Sequence, residues 1–533
     1  MTNSSPDPAG VATAHAFDDE LGRLDALATA ERVRSREVSP AEVVRAAIER
    51  AKAVNPSLDA VACEDYDRAI ERAEQLAPHG TFAGVPTFIK DMTDVAGLPT
   101  RNGSDAFAGA PPAKATMAIA QQLFDMGTVG LGKSTLPEFG FTASTEFPDG
   151  TATHNPWNLG RTPGGSSGGA GALVAAGVVP IAHGQDGGGS VRIPAACNGL
   201  VGLKPSRGRL VPDPHDRLLP VKIVSDGVLT RTVRDQVAYY REAELRHRSR
   251  KLPALDAHGD PRTPIDRPLR IGALIDSPTA AEVDGPTRAT FDRTIALLEG
   301  LGHHVEPVPP PVGAEFAEAF IHYWSMLAWF VSRFGKQLYD PSCEPDRFTM
   351  LSKGLAARFA SKAGSTPRAI ATLRASARAD AAQYHPIDVI LSPTIAHLPP
   401  ELGHLGTTLP FDVLFPRVER WGGLHAARQR HRRTRHQPPA RPRRGHQPPR
   451  GDDAQRTARR RRAAAAPRAP DGGRPALPDV GGADLLRLSG RQRGRPAPAS
   501  VVRRAASAAR TVTPLWDTRQ RVPPGRHLGR LGI

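Results

Sequence analysis

The chain has 533 residues, enough for one large or two ordinary domains, and 70 Lys and Arg against 54 Asp and Glu give it a net charge of +16. That excess would point to nucleic acid, but it is confined to one end: residues 421–533 hold 27 Arg, no Lys, 6 Asp and no Glu, which leaves 43 basic and 48 acidic residues in the body. The body is therefore mildly acidic, and the global charge does not identify its partners. Three widely spaced cysteines, Cys63, Cys197 and Cys343, form no CxxC pair. They argue against a disulfide framework or a cysteine zinc site and suit a reducing cytoplasm. The first residues carry neither a basic stretch nor an apolar one, so no signal peptide is expected. The longest apolar run, 170–182, is broken by Gly177 and Pro180, so no membrane span is expected either.

Residues 1–17 are polar, small and proline-bearing, and are expected to be disordered. A helix follows through Leu21, Leu24, Leu27 and Ala28. Ser39-Pro40-Ala41-Glu42 is a capping box with proline at the first helical position. Val43, Val44, Ala47, Ile48 and Ala51 keep helical spacing until Asn55-Pro56, which is expected to stop the helix. A short strand at 60–62 and a helix over 67–76 come next. The stretch 84–91 reads as a buried strand ending on Lys90; by itself such a lysine is ordinarily solvated.

Residues 127–134 satisfy the phosphate-loop pattern G-x-x-x-x-G-K-S. That mechanism needs a strand before the loop and a helix after it. Here 117–126 has helical spacing, 129–133 reads as a strand, and Pro137 and Gly140 follow too soon for a helix, so helix–turn–strand is expected instead. Residues 152–163 are a loop leading to Gly-Gly-Ser-Ser-Gly-Gly at 164–169. A small-residue apolar run then reaches Pro180, and Asp186-Gly-Gly-Gly-Ser190-Val-Arg192-Ile-Pro194 and Gly202-Leu-Lys204-Pro205 follow. Glycines flanking a serine allow a sharp turn and bring bare N–H groups close to a bound group, which suits a nucleophilic hydroxyl beside an oxyanion-binding nest. A flexible linker would not alternate with core in this way. Further on, strands at 269–275 and 304–308 flank a helix over 286–301, a parallel strand–helix–strand unit. Residues 315–384 are mainly helical and could roof a pocket, and 388–394 reads as a short buried strand.

Taken together, Gly-Gly-Ser-Ser-Gly-Gly, Asp-x-Gly-Gly-Ser-x-Arg-x-Pro and Gly-x-Lys-Pro resemble the amidase signature family of serine hydrolases, and the Gly-x-Pro-x-x-x-Lys-Asp of 84–91 matches where that family carries its base. The resemblance implies an α/β fold: one large domain, 18–420, with a mixed central sheet flanked by helices. It implies hydrolysis of a carboxylic amide C–N bond without cofactor or metal. Ser190 would form the acyl-enzyme, Ser166 would bridge from a cis Gly165–Ser166 peptide, and Lys90 would be the base. A free lysine has a pKa near 10.4, so burial must lower Lys90 by ~2–3 units for it to serve. The N–H groups of Gly187, Gly188, Gly189 and Ser190 are the expected oxyanion hole, where one donor is typically worth about 3–4 kcal/mol. Asp186 and Arg192 are expected to pair and hold the loop, and Ser167 to support the network. Glu138, after Gly-Lys-Ser, would be a structural landmark.

The partner is expected to be a small-molecule amide, with no membrane and no specific nucleic acid; homodimerisation stays open. A tRNA-dependent amidotransferase A-type subunit shares the triad and remains an alternative. Two departures stand out. Gly187 replaces a bulkier residue, and residues 421–533 replace the family's closing segment. That replacement reads as a frameshift product or, less simply, as a genuine arginine-rich tail with weak, salt-dependent nucleic-acid binding. Either leaves open a catalytically impaired amidase homologue.

Overall fold

A computed structural model describes residues 11–212, 219–250, 252–256, 260–276 and 282–426. Residues 1–10 and the basic tail from 427 onward, with the frameshift reading attached to it, lie outside these residues.

Order begins earlier than the polar composition of the start suggests. Ala14 and Ala16 are buried. Their N–H groups donate to Pro156 O at 3.0 Å and Ala176 O at 2.8 Å, and the His15 ring lies 4.4 Å from that of Trp157. Two small side chains and a pair of backbone bonds are enough to dock the segment, and hydropathy does not register either. The helix Pro40–Leu58 opens as expected: Ser39 Oγ accepts the Glu42 N–H, and Glu42 Oε2 accepts the Ser39 N–H at 2.7 Å. It does not stop at Pro56. A proline in the last turn forfeits one backbone bond but keeps a helical φ. Asn55 instead shapes the exit, its Oδ1 accepting from the N–H groups of Ala60 and Val61.

The mixed sheet is built in three hydrogen-bonded pieces. In the first, β1 (Val61–Glu64) runs antiparallel and β2 (Pro86–Lys90) parallel to the central β3 (Val129–Ser134). In the second, β4 (Ile181–Asp186) and β5 (Val201–Gly202) both run antiparallel to β6 (Ser225–Thr230). In the third, β7 (Arg270–Ala273) has β8 (His304–Pro307) and β9 (Val389–Leu391) parallel on its two sides, with helix Gly285–Gly300 making the expected crossover. β9 is not the buried strand expected: it is an edge, and Val389 is 45% exposed.

Helices cover this framework. Val44, Ala47, Ile48 and Ala51 of Pro40–Leu58 share one apolar cluster with Phe88 of β2, Leu131 of β3 and Leu173 of helix Gly168–Ala175. No helix among the described residues is long and apolar enough to cross a membrane.

The phosphate-loop look-alike is helix Ala118–Asp125, a turn with Gly127 at φ 99°, and β3. Lys133 is fully buried. Its Nζ donates to Pro99 O at 2.9 Å and Thr100 Oγ1 at 2.7 Å and pairs with Asp91 Oδ1 at 2.6 Å, so it cannot reach a phosphate. Glu138 is a buried tie-point: it accepts from Ser104 Oγ at 2.6 Å and from Thr349 N and Oγ1 at 3.0 and 2.6 Å, fastening the motif region to the later helices.

Candidate active site

Lys90 is the last residue of β2, a strand with every residue buried. Its side chain is 1% exposed, and its Nζ stands 2.6 Å from Ser166 Oγ. Burial lowers its pKa to about 7, against the opposing pull of Asp186 and Asp226. Lys90 also ties two pieces of sheet together, because its backbone N–H donates to His183 Nδ1 on β4 at 3.4 Å. With Nδ1 as the acceptor, Nε2 is the donor, 3.1 Å from Asp226 Oδ1 on β6.

The segment 164–169 is packed, not a linker. A Cβ on Gly168 would stand 2.1 Å from Thr145 Oγ1, and one on Gly169 would stand 2.3 Å from Thr135 Oγ1. Only glycine allows the helix Gly168–Ala175 to start this close to its neighbours. The Gly165–Ser166 peptide is cis. Ser167 turns the other way from Ser166: its N–H donates to Ser190 O at 3.1 Å, and its Oγ exchanges bonds with Gln185 O and N at 3.4 and 3.3 Å. Local geometry thus separates the two serines, with Ser166 against the amine and Ser167 stapling the loop to β4.

β4 ends on Asp186, and the chain turns through Gly189 at φ 113° into helix Arg192–Asn198. Asp186 is fully buried and meets Arg192 through Nε–Oδ2 and Nη2–Oδ1 bonds of 2.8 Å each, the expected pair. Asp186 also accepts the N–H of Gly189 at 2.8 Å and of Val191 at 3.3 Å. The Gly189 N–H is thus engaged by a carboxylate, which sets it apart from the other N–H groups expected to receive an oxyanion.

Lys90, Ser166, Gly187, Gly188 and Ser190 line one wall of a cavity of about 190 Å³. Its roof is helix Ala314–Leu338, which contributes Phe320, Ile321 and Trp324 from one face, within the helical stretch expected to cover a pocket. Phe139 and Phe141 close another side. Phe139 holds a left-handed backbone at φ 49°, a conformation a bulky residue adopts only where its surroundings impose it. Val418 and Glu419, from helix Phe411–Ala426, complete the lining. The three expected chemical groups therefore share one space, with an amine, two hydroxyls and two glycine N–H groups at a largely apolar cavity. Sequence reasoning missed His183, Asp226 and Glu419. His183 stood in the motif region, but its partner lies 43 residues away and meets it only through the β4–β6 pairing.

The family model described as Amidase matches residues 42–416. An amidase AmiC of Mycobacterium bovis is 46% identical over 410 residues, covering 76% of this chain and 85% of its own. The 6-aminohexanoate-cyclic-dimer hydrolase of Paenarthrobacter ureafaciens is 39% identical over 297 residues, 54% of this chain and 59% of its own. The solved structure of 6-aminohexanoate cyclic dimer hydrolase complexed with substrate superposes with a TM-score of 0.68 at 28% identity, covering 77% of this chain and 89% of that one.

Proposed function

Because the chain belongs to the amidase signature family and is an amide-hydrolysing enzyme, we propose that it hydrolyses a small carboxylic amide through an acyl-enzyme on Ser190, with Ser166 and Lys90 as the proton relay and 18–420 as the catalytic domain. The observation that carries this reading is the 2.6 Å contact between a buried Lys90 amine and Ser166 Oγ in the cavity that Ser190 also lines.

Each step follows from what the groups can do. A lysine with a pKa near 7 is substantially neutral at physiological pH and can accept a proton. The Ser190 hydroxyl attacks the amide carbon, passes its proton to Ser166 Oγ, and the Ser166 proton goes to Lys90 Nζ. The N–H groups of Gly187, Gly188 and Ser190 receive the oxyanion; Gly189 leaves the set and serves to hold Asp186. The relay then runs backwards, protonating the leaving nitrogen, and water releases the acid by the same route. Asp186 keeps its charge satisfied by the Arg192 guanidinium and by the backbone N–H groups of Gly189, Val191 and Arg192, which limits its pull on Lys90. Ser167 fixes the spacing of the two serine loops. His183 and Asp226 set the backbone of the base. Cytoplasmic residence belongs to the same reading and is supported by free thiols at Cys63, Cys197 and Cys343.

Turnover of a panel of short aliphatic and aryl amides by the wild type, lost in Ser190→Ala with folding intact, is the expected result. Equal turnover in Ser190→Ala would overturn the proposal.

A further inference from the structure

We propose that Glu419 is a substrate-reading residue, and that the amides this cavity takes are apolar in the body and carry an ammonium group at one end. The inference rests on the amidase reading of the cavity and names its substrate class.

Beyond the relay, and apart from Thr142 and Gln185, the walls are apolar: Met92, Phe141, Ile193, Ile223 and the aromatic roof. Glu419 is the single acidic side chain among the lining residues, half-buried at the end of the described chain. Among the described residues no hydrogen bond or ion pair reaches its carboxylate. Arg358 is the basic group that it feels, and that guanidinium lies over the Phe415 ring at 5.4 Å. Burial pushes the Glu419 carboxyl up, with Arg358 acting against the shift. A partly desolvated carboxylate without a donor is unfavourable, and a ligand that brings a charged donor relieves it. Trp324 lines the same cavity, stacked at 5.9 Å on Phe415. An aromatic ring lining the same cavity as the carboxylate is a second feature compatible with a cation. The charge balance agrees. With Lys90 largely neutral, Glu419 is the one charged side chain among the lining residues, although Arg358 acts on it from outside that lining.

The test is binding, which does not depend on turnover. Short amides of equal length are prepared in matched pairs, one member ending in a primary ammonium and the other in a methyl group. One pair places that end on the acyl side, the other on the amine side. Affinities are measured by calorimetry at pH 7.5 in Ser190→Ala and in Ser190→Ala/Glu419→Gln. A charge-assisted hydrogen bond should favour the ammonium member of at least one pair by roughly 10- to 100-fold. Glu419→Gln should abolish that preference while leaving methyl-ended affinity within about twofold. Equal or weaker binding of the ammonium member in both pairs would overturn the proposal, as would a preference that survives Glu419→Gln. If that double variant fails to fold, Ser190→Ala/Glu419→Ala replaces it and must likewise lose the preference at pH 7.5; a preference that survives there overturns the proposal. Hydrolysis persisting in Ser190→Ala would count against the acyl-enzyme and not against Glu419.

Discussion

Acidification through the neutral range should switch the enzyme off reversibly, because Lys90 can take a proton only when uncharged. Burial holds its amine at about 7 where a solvated lysine has 10.5. The neutral fraction is then roughly 90% at pH 8 and roughly 1% at pH 5, so kcat/KM should fall by about 90-fold between them, close to tenfold per unit below pH 6. Above pH 8 it should be flat. The assay is the initial rate at substrate well below KM, with an amide that does not ionise between pH 5 and 9.5, and with samples returned to pH 8 to show recovery. Stability moves with the same group. The folded chain loses the Lys90 proton near pH 7 and the unfolded chain near 10.5, so between these values the unfolded state binds more protons and this group makes stability rise with pH. Below pH 7 the native state must bury a charge, at a cost on the order of a few kcal/mol. Lys90→Met should therefore abolish turnover yet raise the melting temperature most at pH 6. A kcat/KM that keeps climbing log-linearly through pH 9 would rule out a depressed Lys90, because it would mean that the amine is solvated.

Two further perturbations test the surroundings of the base. Arg192→Met strips both 2.8 Å bonds from Asp186 and leaves a buried carboxylate less compensated; a loss of about 3–5 kcal/mol is expected in urea unfolding, and the midpoint of the pH–rate profile should move upward as Asp186 acts more strongly on Lys90. An unmoved midpoint would contradict the assigned coupling. His183→Leu removes the acceptor of the Lys90 N–H and unpairs Asp226. It should cost about 1–3 kcal/mol of stability and lower kcat more than it changes KM. His183→Asn, whose Oδ1 can replace Nδ1, should recover part of both, whereas equal defects in the two variants would assign His183 to packing alone.

What the sequence discloses about this site depends on how local the constraint is. Ser166, Ser190 and Lys90 were singled out because each stands in a short motif that resembles the family's; the structure brings the three to one cavity, while Lys90 read alone would have been a solvated strand end. The Ser39–Glu42 cap was legible from its own short motif, and the phosphate-loop pattern failed correctly because its neighbours have the wrong periodicity. Sequence places Gly189 in the turn but does not say where its N–H points; in the structure it points at the Asp186 carboxylate. His183 and Asp226 were invisible because only the β4–β6 pairing sets them side by side. Glu419 was hidden for a stronger reason. The helix that carries it reaches the cavity through packing among Leu351, Leu355, Leu414 and Trp421, contacts spread over some 70 residues. The helix past Pro56 and the exposed edge of β9 are tertiary outcomes of the same kind: a proline tolerated in a last turn, and an apolar strand left at a sheet margin.

The proposed mechanism turns on a covalent bond, with the acyl group carried by Ser190. Incubating the enzyme with a fluorophosphonate, digesting it and locating the adduct by mass spectrometry tests this directly. The account predicts one stoichiometric adduct on Ser190, absent from Ser190→Ala and slowed in Lys90→Met. An adduct on Ser166 or Ser167, or undiminished labelling of Ser190→Ala, would contradict it.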